Sequence, residues 1–155
     1  MVSIIEEVVN QYDIDAIHFD DYFYPYTINN EVFNDSLAYF SNNQAQLSLE
    51  DWRRSNIDTL VKQVHQVIKE QKPWVQFGIS PFGVWKNIAT DPKGSNTKAG
   101  QTTYEDLYAD PILWMEKGWI DYLVPQIYWS LKLPVASHRI LIDWWAENHK
   151  NSNLY

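Results

Sequence analysis

The chain has 155 residues, of which 45% are hydrophobic and 21% are charged, and this composition suits a globular protein with a buried core. The net charge of -8 argues against a nucleic-acid backbone or an anionic lipid surface as the main partner, because both attract Lys and Arg. The absence of cysteine excludes disulfides and thiolate metal sites, and it leaves the redox compartment open.

The N-terminal segment MVSIIEE has neither a basic region nor a long apolar region, and no apolar run is long enough to cross a bilayer. We therefore expect a soluble chain without a signal segment and without membrane insertion. No feature of the sequence predicts an oligomeric state.

Helices and strands are predicted to alternate along the chain. The predicted elements are, in order, a helix over 3–12, a strand over 14–19, a long loop over 23–46 with at most a short turn of helix, a helix over 48–72, a strand over 74–80, a polar loop to about 103, a helix over 110–118, a strand over 120–128, a helix over 136–149 and the opening of a strand at 153–155. Ser3 with Glu6, and Ser48 with Asp51, have the spacing of residues that cap helix N-termini. Pro111 suits the first position of a helix.

This alternation predicts an α/β fold with a parallel sheet and right-handed crossovers. The predicted loops that leave the strands are long and the turns that enter them are short, an asymmetry that is typical of a (β/α)8 (TIM) barrel. Since a full barrel needs roughly 250 residues, we expect residues 1–155 to form a single internal portion of one. A small open doubly wound sheet is the alternative, although none of the five glycines has the G-x-G-x-x-G spacing of a phosphate-binding loop.

The first predicted strand runs directly into two adjacent carboxylates, Asp20 and Asp21. In parallel α/β proteins the carboxyl ends of the strands form the ligand-binding rim. Strand alternation places His18, Asp20 and Tyr22 on one face. A role in capping a turn would explain a single aspartate at this position, but it explains two adjacent aspartates poorly. We therefore predict that Asp20 and Asp21 are catalytic and that His18 and Tyr22 contact the substrate. His18 either holds Asp20 by a hydrogen bond or is simply a satisfied residue of the strand.

Further candidates for substrate binding lie in the first turn of the helix predicted over 48–72 and near the ends of the second and third predicted strands. Arg53 and Arg54 lie in the first turn of a helix, where the macrodipole disfavours cations, so they either bind a carboxylate or are solvated surface residues. The remaining candidates follow the second and third strands, and they are Ser80, Trp85, Gln126, Tyr128 and Trp129. Trp85 is interpreted either as a platform for a sugar ring or as a core residue.

Aromatic residues make up 15% of the chain, with 8 Trp, 10 Tyr and 6 Phe. A pyranose ring has an apolar face that stacks on such rings, while its hydroxyls hydrogen-bond to carboxylates and amides. Although any single Trp is more often a core residue, the set favours a carbohydrate ligand. We expect no metal and no cofactor.

Four segments, DAIHFDDYFYPY, WRRSNIDTLV, FGISPFGVWKN and YADPILWMEKGWIDYLVPQIYW, resemble the glycoside hydrolase-like family 10 catalytic domain of bacterial envelope proteins. The resemblance covers nearly the whole chain and places it from about the third helix to the start of the seventh strand of that family's barrel. It implies a bacterial, usually exported glycosidase of the cell envelope, acting on the glycan strands of peptidoglycan.

Glycoside hydrolysis usually needs two carboxyl groups, one of which stays protonated to act as the acid. Asp20 is the candidate for nucleophile or charge stabiliser, and Asp21 for the proton-transfer group or a ligand of a sugar hydroxyl. Asp91, in the polar loop, and carboxylates outside this chain are alternative sources of the acid, so the isolated portion could be inactive.

A weaker resemblance to the D-G-x-D-x-D-x-E pattern of chitinase-type barrels aligns Asp15, His18, Asp20 and Tyr22 with its three aspartates and its glutamate. Tyr22 cannot replace that glutamate as a proton donor at neutral pH, so the substrate-assisted route of those enzymes is not expected. The alternative function is a non-catalytic carbohydrate-binding domain, which would use the aromatics and Gln126 without the aspartates, and a structural role ranks third.

Overall fold

The structure is a computed structural model of the chain, and it describes residues 1–28, 31 and 33–155. The elements in chain order are α1 (Val2–Gln11), β1 (Ala16–Phe19), α2 (Ser36–Asn42), α3 (Leu49–Gln71), β2 (Gln76–Ile79), α4 (Pro111–Glu116), β3 (Tyr122–Leu123), α5 (His138–Asn148) and β4 (Asn153–Leu154). This order agrees with the predicted one, except that α2, with 7 residues, is longer than the short turn of helix that was expected at most within the first long loop. Within the described ranges, the helices lack the combination of length and apolar character that a bilayer crossing requires.

Of the two predicted caps, the one at Ser48 is confirmed, and Pro111 occupies the first turn of α4 as predicted. Ser48 Oγ accepts a hydrogen bond from the Asp51 N–H at 3.1 Å, and the carboxylate of Asp110 accepts one from the Leu113 N–H at 3.2 Å. The predicted cap at Ser3 is wrong, because α1 already begins at Val2, and Met1 precedes it without a side-chain cap.

The four strands form one sheet in the order β1-β2-β3-β4, and every neighbouring pair is parallel. The predicted parallel α/β sheet is therefore confirmed. The third strand is shorter than the predicted 120–128, since regular pairing with β2 covers only Tyr122 and Leu123. Beyond β3, Gln126 still forms a single parallel bridge with Phe82.

The two faces of the sheet differ in chemistry. Phe77, Ile79 and Leu123 point to one face, are fully buried and belong to the hydrophobic core that the helices α3, α4 and α5 complete. The other face carries His18, which is exposed, and Tyr122, which is half-buried. The helices therefore cover one face, and the polar side chains occupy the other.

Gly78 allows close packing on this polar face. It pairs with His18 on one side and with Tyr122 on the other, and a Cβ atom at Gly78 would lie 2.0 Å from Cζ of the Tyr122 ring. We expect Gly78→Ala to displace the Tyr122 ring and to lower the free energy of unfolding by about 1 to 2 kcal/mol, measured by denaturant titration. Gly100→Ala is the matched control, because a Cβ there meets no atom within 4 Å. Equal stability of the two variants would contradict this packing.

A carboxylate lies partly buried on the helical side of the sheet. Asp58 of α3 accepts a hydrogen bond from Trp114 Nε1 at 2.7 Å. Burial, reinforced by the nearby charge of Asp110, raises the pKa of Asp58 to about 6, although the bond from Trp114 opposes this shift. Between its unfolded pKa and about 6, the folded state therefore holds the proton more tightly than the unfolded state does.

The stability of the protein is therefore expected to fall as the pH rises from about 4 to about 6 and then to change little through this group. Asp58→Asn keeps an oxygen acceptor for Trp114. In this variant the decrease in the free energy of unfolding with rising pH should be smaller by about 1 to 2 kcal/mol. Urea titrations at pH 4.5 and pH 7 measure it, with the exposed Asp143→Asn as the control. An unchanged pH dependence in Asp58→Asn would refute the assignment.

Candidate active site at the carboxyl ends of the strands

Residues that follow three different strands meet at one hydrogen-bonded cluster. Gln126 Nε2 donates to Asp20 Oδ1 at 2.7 Å and to the Ser80 carbonyl oxygen at 2.9 Å. Asp20 follows β1, Ser80 follows β2 and Gln126 lies beyond β3, so the cluster joins the carboxyl ends of parallel strands. The predicted residues Asp20, Ser80 and Gln126 are thus brought together.

The Asp20 carboxylate is exposed and is held on one side only. Oδ1 accepts both the Gln126 amide and the N–H of Asp21, the latter at 2.9 Å. Among the described residues, no N–H or O–H group of the protein donates to Oδ2. Asp20, His18 and Tyr22 line a cavity of about 270 Å³ whose other walls are apolar, formed by Met1, Phe19, Phe23, Ile57 and Leu60. This arrangement fixes the orientation of the carboxylate and leaves one oxygen available to a ligand.

His18 is anchored to the neighbouring strands rather than to Asp20. Its Nε2 lies 2.7 Å from Ser80 Oγ, its Nδ1 lies 3.1 Å from Tyr122 Oη, and its ring stacks on Tyr122 with 5.6 Å between centroids. The hypothesis that His18 holds Asp20 is therefore wrong, and Gln126 makes that contact. Tyr122 was missed, because only the strand register brings it beside His18.

Asp21 points away from solvent, with 2% of its surface exposed, and it accepts a hydrogen bond from the hydroxyl of Tyr26. Burial and the bond to Asp21 raise the pKa of Tyr26, so Tyr26 stays protonated as a donor. An enclosed carboxylate cannot reach a glycosidic oxygen directly, and this geometry disfavours the predicted role of Asp21 as the proton-transfer group. Tyr26 was missed, because no periodic pattern links it to Asp21.

Arg53 and Arg54 are committed to contacts within the protein. Arg53 is 6% exposed, and its Nε and Nη2 bind the carboxylate of Asp35 at 2.8 and 2.6 Å. Arg54 binds Asp51 at 2.7 Å and lies 4.2 Å from the centroid of the Tyr104 ring. The prediction that these arginines bind substrate is corrected: the carboxylates that they bind are Asp35 and Asp51, and both arginines fasten α3 to neighbouring segments.

Trp85 is a core residue rather than a sugar platform. It is 7% exposed, stacks on Trp144 with 5.8 Å between centroids, and donates through Nε1 to Asp110 at 3.1 Å. The ring of Trp129 packs edge-on against Phe82 at 5.4 Å. Burial by its neighbours leaves Trp85 without the open ring face that stacking on a sugar requires, whereas Trp129 is half-buried.

Two of the predicted aromatic residues keep such an open face. Tyr22 is 71% exposed and Tyr128 is 85% exposed. They follow β1 and β3, the two strands that supply Asp20 and Gln126. Tyr22 and Tyr128 are therefore the predicted aromatics that remain accessible to a ligand at this end of the sheet.

Asp91 is poorly suited to act as the missing acid. Its carboxylate lies 2.8 Å from Lys86 Nζ, and this bond lowers the pKa of Asp91. A carboxyl group that is held ionised is a weak proton donor at neutral pH. Within residues 1–28, 31 and 33–155, no group of three or more His, Asp or Glu side chains is arranged to hold a metal ion.

The whole chain, residues 1–155, matches the family model described as Glycosyl hydrolase-like 10. It is 55% identical over 156 residues to the glycosyl hydrolase YngK of Bacillus subtilis, a match that covers 100% of this chain and 31% of that protein. It is 43% identical over 147 residues to the glycosyl hydrolase DigH of Escherichia coli K12, covering 95% of this chain and 33% of that protein. The chain thus spans about a third of the length of these curated relatives.

Proposed function

The chain belongs to the glycosyl hydrolase-like 10 family, and we propose that it contributes Asp20 to the active site of a glycosidase that cleaves O-glycosidic bonds of a bacterial polysaccharide. The observation that carries this proposal is the contact of Gln126 with Asp20 and Ser80, which places an exposed, oriented carboxylate where three parallel strands end. Ligand sites of parallel α/β proteins lie at this end of the sheet.

We also propose that the sheet is part of a (β/α)8 barrel, with residues 1–155 as one portion of it. The parallel order β1-β2-β3-β4 and the helices on a single face support this architecture. In a barrel the polar face with His18 and Tyr122 would point inward, where side chains from the other strands would cover it.

The role proposed for Asp20 is that of nucleophile or charge stabiliser at the anomeric carbon. Its oxygen Oδ2 would face the sugar, while Gln126 holds Oδ1 at 2.7 Å. Because Asp21 is buried under Tyr26, it would position the turn that carries Asp20. The protonated acid that hydrolysis requires would then come from another carboxyl group of the complete active site.

The substrate proposed is the glycan strand of peptidoglycan, and the setting is the cell envelope of a bacterium that exports the protein. The exposed rings of Tyr22 and Tyr128 and the amide of Gln126 suit a chain of pyranose rings. The choice of peptidoglycan and of export follows from the family resemblance.

We expect the full-length native protein to release short saccharides from purified glycan strands of peptidoglycan freed of peptides. Chromatography with mass detection measures the products, and boiled protein is the control. A glycan that stays intact at high protein concentration over a long incubation would refute the proposed substrate.

A non-catalytic carbohydrate-binding domain is the second candidate. Of the two predicted catalytic aspartates, only Asp20 is exposed, whereas hydrolysis usually needs two carboxyl groups within reach of the substrate. In that case the full-length protein would bind glycan strands without releasing saccharides.

A further inference from the structure

A second cavity, of about 420 Å³, is lined in part by Tyr24 to Ile28, in the loop that follows Asp20 and Asp21. Tyr26 connects the two places, because it lines this cavity while its hydroxyl donates to Asp21. The volume falls within the range of small-molecule sites, roughly 300 to 1,000 Å³. The cavity therefore has the size to hold a sugar ring, and Tyr26 connects it to the residue that follows Asp20.

Arg53 contacts several of the side chains that line this cavity. Arg53, which lines it, is fixed by Asp35 and donates through Nη1 to the hydroxyl of Tyr108 at 2.7 Å. The guanidinium carbon lies 4.8, 5.5 and 5.9 Å from the ring centroids of Tyr108, Tyr24 and Phe33. These three rings also line the cavity. One buried cation therefore contacts all three of these rings.

The chemistry of the lining suits a sugar ring without a negative charge. Aromatic rings provide apolar faces, and Thr27 and Asn34 provide hydrogen-bonding groups. Arg53 is already paired with Asp35, whereas the carboxylates of Glu31 and Asp106 also line the cavity. A carboxylated sugar would therefore be repelled, and a neutral one would not.

We propose that this cavity, lined by Tyr24, Tyr26, Thr27, Phe33 and Tyr108, is a subsite for an uncharged pyranose ring located along the same glycan chain as the ring at Asp20. The inference rests on the proposed function, because it takes the Asp20 site as the place where the first ring binds. The subsite adds a second contact with the glycan chain, so longer saccharides bind more tightly than short ones.

The test uses the full-length native protein and N-acetylglucosamine oligomers of two and five rings, with binding measured by calorimetry. Thr27→Trp should fill the cavity from an exposed position, and Phe33→Leu should remove one ring from its wall. We expect each variant to weaken binding of the five-ring oligomer about tenfold, and to change binding of the two-ring oligomer less than twofold. Thr59→Trp is the matched control, because Thr59 is an exposed threonine of α3 outside the cavity lining, and it should bind both oligomers as the native protein does. Circular dichroism checks that the variants are folded.

Unchanged affinity for the five-ring oligomer in both folded variants would overturn the subsite. A five-ring galacturonate oligomer tests the charge selectivity, and we expect it to bind at least tenfold more weakly than the neutral oligomer. Equal binding of the two would overturn the assignment to an uncharged ring. Failure of the subsite is distinguishable from failure of the proposed function, because glycan cleavage and its dependence on Asp20 are measured without reference to the cavity.

Discussion

Replacing Asp20 by Asn is expected to lower kcat for glycan cleavage by the full-length protein at least about 1,000-fold, while glycan binding changes less than about threefold. The amide oxygen of Asn can still accept the bonds that Asp20 receives from Gln126 and from the N–H of Asp21. The substitution therefore keeps the geometry and removes the negative charge that would attack or stabilise the anomeric carbon. Initial rates of saccharide release and equilibrium binding measure the two effects separately.

Asp13→Asn is the matched control, since Asp13 is also exposed but precedes β1 at its amino end. We expect it to leave both cleavage and binding within twofold of the native values. Loss of cleavage with retained binding in Asp20→Asn supports the glycosidase. Native values of cleavage and binding in Asp20→Asn would remove Asp20 from the active site.

Arg53→Met is expected to destabilise the protein by about 3 kcal/mol, because it leaves the carboxylate of Asp35 without its partner in a largely buried place. The side chains of Arg53 and Asp35 are 8% and 9% exposed, and two hydrogen bonds join them. The bond from Arg53 also lowers the pKa of Asp35. The contribution of the pair is therefore present at neutral pH and is lost as the pH falls through the lowered pKa of Asp35.

The double variant Arg53→Met with Asp35→Leu should recover part of the loss, since it leaves no buried charge unpaired. Arg54→Met is the control from the same helical turn. Arg54 pairs with Asp51, whose side chain is 54% exposed, so its loss should cost about 1 kcal/mol. Denaturant unfolding of the native protein, Arg53→Met, Asp35→Leu and the double variant measures the cycle, and Arg54→Met is measured beside them. An Arg53→Met variant no less stable than Arg54→Met would show that the buried pair contributes little.

The helix boundaries that the sequence predicted correctly depend on contacts within one turn. Ser48 and Asp110 accept N–H groups three residues ahead, and neither bond needs any other element. The third strand was predicted too long, because apolar alternation continued to Tyr128 while regular pairing with β2 covers only Tyr122 and Leu123. Local hydrogen bonding is thus easier to infer from a sequence than the length of a strand, which depends on its neighbour.

Arg53 and Arg54 show why the charge pattern of the sequence was insufficient to identify residues that bind substrate. Two cations in the first turn of α3 carry an electrostatic cost, and this cost was interpreted as a sign of substrate binding. The compensating groups are Asp35 of the preceding segment and the ring of Tyr104 from a distant loop. A carboxylate 18 residues away in the chain offers no spacing rule that would have identified it.

The sequence by itself determined the alternation of helices and strands, the parallel sheet, and the position of Asp20 at the end of the first strand, because all of these follow from local periodicity and chain connectivity. Only the tertiary structure decided that Gln126 holds Asp20, that Tyr122 and Ser80 hold His18, and that Asp21 is enclosed under Tyr26. The physical reason is that hydrogen bonds between strands depend on register and on side-chain direction. Both are set when the sheet packs against its helices.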